Sequence, residues 1–98
     1  MKIFAIEHEL PSAAPEKFQQ YARAEAAQVW ELYQRGFIRE TYFRADKSEA
    51  VLVLECENLE AAQQELLNLP LVAHELITFE LIPLKAYPGF ERLFAPST

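Results

Sequence analysis

The chain is short of most features that mark a secreted scaffold, a nucleotide enzyme or a nucleic-acid binder. Its single cysteine, Cys56, cannot close an internal disulfide, which predicts a reducing compartment. Two glycines, Gly36 and Gly89, leave no glycine-rich loop to cradle a phosphate. Lysine and arginine number 9 against 15 acidic residues, and a formal net charge of −6 leaves no excess of cations to neutralise a nucleic-acid backbone. No run approaches the roughly 20 apolar residues of a membrane span, and the first residues lack a basic, apolar, small-residue targeting pattern. His8 and His74 stand apart, with no second ligand at metal-binding spacing. These absences predict a cytoplasmic protein with no nucleic-acid or membrane partner, no metal and no cofactor.

What is present is a high apolar content, 51% of 98 residues. That length predicts one domain over 1–98 whose own core leaves a modest stability margin, a limit that oligomerisation relieves. Four segments alternate with strand periodicity, and each has a clean and a mixed side. The clean side carries Ile3 and Ala5, then Thr41 and Phe43, then Leu52, Leu54 and Cys56, then Ile77, Phe79 and Leu81. The mixed side carries Phe4, Ile6 and His8, then Ile38, Glu40, Tyr42 and Arg44, then Val51, Val53 and Glu55, then Leu76, Thr78, Glu80 and Ile82.

Between the first two strands, Phe18, Tyr21, Ala22, Val29, Leu32 and Tyr33 recur at helical steps. They predict a helix over 15–35 that begins at Pro15 and ends at Gly36. Asn58 is the expected N-cap of a second helix, with Leu59, Ala62, Leu66 and Leu69 inward and Pro70 as its end. A two-residue loop at Lys47 and Ser48 would set Phe43 opposite Leu52, and Glu40 opposite Glu55. Other registers of the same parity keep both glutamates on one face. Trp30 and Tyr33 read as core, and Cys56 as a small buried hydrophobe with nothing to activate it.

The order strand, helix, strand, strand, helix, strand with right-handed crossovers predicts a ferredoxin-like α+β sandwich: a βαββαβ core over 1–83 with a four-stranded antiparallel sheet. Two helices cover one face only, so the mixed face calls for a second copy, giving a homodimer or higher homo-oligomer. An arm over 84–98 holds Tyr87, Phe90, Leu93 and Phe94, too much apolar surface to stay bare. It is expected to dock on a partner subunit, over a pocket mouth, or on its own subunit's edge.

The mixed side also holds the candidate chemistry. Glu40 and Glu55 on neighbouring strands are the candidate acid/base pair, because burial and mutual repulsion would lift one carboxyl toward neutrality. His8 and Tyr42 are candidate proton donors or orienting groups. Arg39 and Arg44 are candidate partners of a small anionic substrate, since a guanidinium binds a carboxylate through two hydrogen bonds. Against each stands a plainer role: solvated rim charges, arginines paired with neighbouring glutamates, and a tyrosine filling an interface.

The stretch VWELYQRGFIRETYFR, followed by AVLVLE, LNLPLV and the closing LIPLKAYPGFERLF, resembles the muconolactone isomerase-like branch of the dimeric α+β barrel proteins over about residues 20–94. The resemblance implies ferredoxin-like subunits joined through their open sheet faces. It also implies a cofactor-free enzyme that shifts a double bond in an unsaturated lactone by moving a proton. On the second strand, Phe37 to Phe43 depart from the polar set of that branch, so no catalytic residue carries over.

The leading expectation is therefore a cofactor-independent isomerase acting on a small unsaturated anion. One alternative is a non-catalytic dimer that binds a small molecule or regulates a partner. Another is a cofactor-free monooxygenase on the same barrel, which would need a cavity between sheet and helices. A cavity found there would move the chemistry to the clean side.

Overall fold

The computed structural model describes residues 1–96. Its core elements are β1 (Lys2–Glu9), α1 (Pro15–Gln34), β2 (Ile38–Phe43), β3 (Ala50–Glu55), α2 (Leu59–Leu67), α3 (Pro70–Ala73) and β4 (Ile77–Pro83), followed by a 3-10 turn at Gly89–Leu93. The strands form one antiparallel sheet in the order β2-β3-β1-β4. This is the ferredoxin-like topology that the alternating sequence pattern predicts.

Local chemistry fixes the helix ends. Pro15 occupies the first turn of α1, where its missing N–H costs nothing. The helix stops in a left-handed turn at Gly36, φ 79°. There the Phe37 and Gly36 amides donate to the Leu32 and Tyr33 carbonyls at 3.0 and 3.1 Å, and Leu32 and Phe37 meet in the core. Asn58 caps α2 as expected, its side chain accepting from the Ala61 N–H at 2.8 Å. Pro70 ends α2 but also begins α3, a single turn closed by Glu75 in the left-handed region at φ 60°.

The core lies between the helices and the clean side of the sheet, where Ile3, Ala5, Leu52 and Leu54 meet Leu32, Ala62, Leu66 and Leu69. Two residues expected on the mixed side sit in the buried interior instead. A bulge leaves Arg39 without a partner across the ladder, so Ile38 pairs with Leu54 while Glu40 pairs with Val53. The extra residue turns Ile38 inward, and it is 1% exposed. Leu76, also 1% exposed, precedes β4 and is set by the turn after α3 rather than by strand parity.

The β2–β3 connection is longer than a two-residue loop. It spans 44–49, closed by the Arg44 N–H on the Glu49 carbonyl at 2.9 Å, and it sets Phe43 opposite Ala50. Trp30 and Tyr33 are not core: they stack on each other at 5.8 Å on the outer surface of α1, 59% and 46% exposed. The helix-free face of the sheet leaves Phe4, Tyr42 and Ile82 partly bare around a buried Val53.

Beyond β4 the chain departs from the sandwich. Tyr87, Phe90, Leu93 and Phe94 are exposed, with Tyr87 and Phe90 packed edge to face. The molecule extends 62 Å along its long axis, about twice the roughly 30 Å of a 20-residue helix. Residues 97 and 98, the last two of the expected arm, lie outside the described residues.

Candidate active site

A cavity of about 760 Å³ lies between α1 and the clean side of the sheet, within the size range of small-molecule sites. Its origin is visible in the helix. The inward stripe of α1 carries Phe18 near one end and Val29 and Leu32 near the other, but Ala22, Glu25 and Ala26 between them. Only Leu32 is fully buried along the whole helix. Small side chains in the middle of the stripe cannot fill the space to Leu52, Phe79 and Thr41 on the sheet, and the gap persists.

Two carboxyl groups, those of Glu7 and Glu25, line this space. Glu7 continues the parity of Ile3 and Ala5, so β1 points it into the helix side of the sheet, where it is 7% exposed. Its Oε1 accepts from the Ala50 N–H at 3.2 Å, and its Oε2 has no hydrogen bond among the described residues. Glu25 enters from α1, half-buried. Its Oε1 accepts from the Leu71 N–H at 3.0 Å, which ties α1 to the first turn of α3.

Burial pushes the Glu7 carboxyl above the ordinary value of 4.5, the Ala50 amide partly offsets this, and the nearby charges of Glu49, Glu25 and Glu9 raise it further. Burial also raises Glu25, with the Leu71 amide opposing. Glu49, 8% exposed, is held below the ordinary range by the Glu9 N–H at 3.1 Å and by Lys47 at 3.2 Å. The cavity thus holds two carboxyls that retain protons more readily than a solvated glutamate, and an anchored anion, Glu49, stands between its wall residues Ser48 and Ala50.

The residues singled out from the sequence lie on the opposite face or at the strand ends, and none of them lines the cavity. His8 Nε2 meets Glu80 Oε1 at 2.9 Å. Tyr42 donates to Glu40 at 2.7 Å, and that bond raises the phenol pKa. Glu55 meets the Met1 amino group at 2.8 Å, which holds its carboxyl below the ordinary range instead of lifting it. Arg44 forks onto Asp46 at 2.8 and 2.6 Å, and Arg39 Nε donates to the Gly36 carbonyl at 2.6 Å. Glu40 and Tyr42 come together, and so do His8 and Glu80; Glu40 and Glu55 do not form a bonded pair.

Glu7 and Glu25 were legible in principle. Extending the alternation of the first strand by one step puts a glutamate on its clean side. The apolar stripe of α1 likewise passes through position 25. Both positions carry an acidic residue on an inward-facing register, Glu25 between Ala24 and Ala26 and Glu7 two residues after Ala5.

Among the described residues no group of three metal-ligating side chains comes together, and no helix is long and apolar enough to cross a membrane. No family model and no curated protein matches the sequence. Two solved structures are similar to this chain. Muconolactone isomerase matches at a TM-score of 0.74 with 23% identity, covering 91% of this chain and 93% of the other. The 5-chloro-2-hydroxyhydroquinone dehydrochlorinase of Burkholderia phenoliruptrix AC1100, in complex with 2,5-dihydroxybenzoquinone, matches at 0.58 with 16% identity, covering 89% and 97%. The fold of this chain is therefore that of muconolactone isomerase, the architecture whose resemblance the sequence carries.

Proposed function

We propose that the protein is a cofactor-independent acid/base enzyme of isomerase type, with its active site in the helix-side cavity. The observation that carries this reading is the buried Glu7, with one oxygen anchored on a backbone amide and the other free to meet a ligand. A carboxyl raised above its ordinary range is a better match to proton transfer near neutrality than a solvated one. The likeness to muconolactone isomerase supports a proton shift within an unsaturated lactone as the reaction class.

In such a step the ionised Glu7 takes a proton from the ring carbon beside the lactone carbonyl. The C–H electron pair moves into the ring, the double bond shifts, and the proton returns at the far end of the resulting dienolate. Glu25, whose burial favours the protonated form, would hydrogen-bond the carbonyl oxygen when it holds its proton, as negative charge develops there. The atoms of product and substrate are the same, and the carboxylate is regenerated.

The open sheet face takes a different role in this reading: Phe4, Tyr42 and Ile82 pack against a second copy, and His8, Glu40 and Glu55 satisfy the interface around them. Two sets of variants test the assignment. Glu7→Gln should lower turnover of an unsaturated lactone such as α-angelica lactone, while Glu40→Gln and Glu55→Gln retain it. Loss of turnover in the second set with retention in the first would return the chemistry to the open face.

A further inference from the structure

We propose that the helix-side cavity takes an uncharged ring, a lactone or a hydroxylated unsaturated ring, and turns away its carboxylate counterparts. The inference rests on the cavity being the ligand site, and it adds the charge of the ligand to that reading.

The charge balance of the walls carries it. Glu7, Glu9 and Glu25 line the cavity, and among the described residues no lysine, arginine or histidine does. The arginines that the sequence offers for an anion are held elsewhere, Arg44 on Asp46 and Arg39 on the Gly36 carbonyl. Lys47, beside the rim residue Ser48, is already paired with Glu49 at 3.2 Å. The remaining polar groups on the walls, Gln19, Thr41 and Ser48, are neutral. They suit a hydroxyl or a carbonyl and cannot compensate a full negative charge.

An incoming carboxylate would also disable the proposed base. A second anion beside Glu7 stabilises its protonated form, since like charges disfavour ionisation. A neutral ring leaves Glu7 free to ionise and presents apolar faces to Phe18, Leu52 and Phe79. In the sequence, Arg39 and Arg44 suggest an anionic substrate; the walls of this cavity select against one.

Two matched pairs of probes separate the outcomes: α-angelica lactone against the same ring bearing a carboxymethyl in place of its methyl, and hydroquinone against gentisate. Titration calorimetry at neutral pH is expected to show each carboxylate binding about 10- to 100-fold more weakly than its neutral partner, the size of effect that like charges roughly 6–12 Å apart produce at an effective dielectric of about 20. In Glu7→Gln/Glu25→Gln that gap should shrink to within a few-fold. Ala26→Leu, which narrows the cavity, should abolish binding of every probe. Carboxylates that bind as tightly as their neutral partners, and lose binding in Ala26→Leu, would overturn the charge selection while leaving the cavity as the site. Binding indifferent to Ala26→Leu, or no binding of either pair, would overturn the cavity as the site and the inference with it.

Discussion

Replacing Glu7 by glutamine should move activity and stability in opposite directions. The introduced amide keeps a carbonyl oxygen that can accept the Ala50 N–H at the 3.2 Å position of Glu7 Oε1, and it fills nearly the same volume. What the substitution removes is a negative charge on a side chain only 7% exposed and surrounded by Glu9, Glu25 and Glu49. Turnover of α-angelica lactone, followed by ultraviolet absorbance as the double bond enters conjugation, is expected to fall about 10²- to 10⁴-fold, the usual contribution of a positioned proton-transfer group.

Folding stability is expected to rise. The folded-state pKa of Glu7 lies above its ordinary value of 4.5, so between those two values the native state binds more protons than the unfolded chain. Wild-type stability then falls as pH rises through that window, and the deficit is fully present above it. Relieving it should stabilise the variant by about 0.5–2 kcal/mol at neutral pH, roughly 4–8 °C in Tm for each kcal/mol in a domain of this size. The gain should vanish below about pH 4, where both states hold the proton. For the same reason the rising limb of kcat/KM in the wild type should lie above the range of an ordinary glutamate. A variant with normal turnover, or one that melts lower than wild type at neutral pH, would refute the assignment of Glu7 as a strained base.

Three further outcomes follow from other parts of the fold. Phe4→Glu places a charge at the centre of the open sheet face and should dissociate the assembly, read as a fall in molar mass by sedimentation; a wild-type protein that is already monomeric would defeat the interface assignment. Ala26→Leu should raise stability by about 0.5–2 kcal/mol as it fills the cavity, checked by urea denaturation, and a destabilised variant would mean that α1 cannot tolerate closer packing. Glu75→Gly should stabilise the chain by roughly 1 kcal/mol, because a side chain in the left-handed region carries about that cost and Glu75 sits there at φ 60°; an unchanged denaturation midpoint would show that the turn holds no strain.

The fold was legible because its signals are local and repeated. Period-two alternation, Pro15, Gly36 and Asn58 each act within a few residues, and all appear where their chemistry puts them. Parity failed at Ile38 and Leu76 for one shared reason: a bulge at Arg39 and a tight turn at Glu75 each shift the phase of the chain, and neither leaves a signature in a sequence with so few glycines. The cavity was less legible because it is a defect in packing, a property of two surfaces that meet. Alanine at positions 22 and 26 reads as compatible with a core, and only the distance from α1 to Phe79 and Leu52 makes it a void. Trp30 failed in the opposite sense, since a large aromatic on a helix reads as core until the neighbouring surface is known.

The cavity also bears on why this chain should not stand alone. A domain of 98 residues has little apolar burial to spare, yet α1 gives up half of its inward stripe to a space holding two carboxyls, and the helix-free sheet face and the arm leave further apolar side chains in water. Each of these lowers the stability of the isolated subunit. Association through the open face recovers burial without touching α1, so it can offset the cost of the cavity while leaving the cavity open. If the cavity is the site and the open face the interface, as proposed, the two are halves of one energetic arrangement, and a variant that dissociates the subunits should melt earlier and lose ligand binding only as far as it unfolds. A Phe4→Glu protein that stays as stable as the parent would separate the two and leave the cost of the cavity to be met within a single subunit.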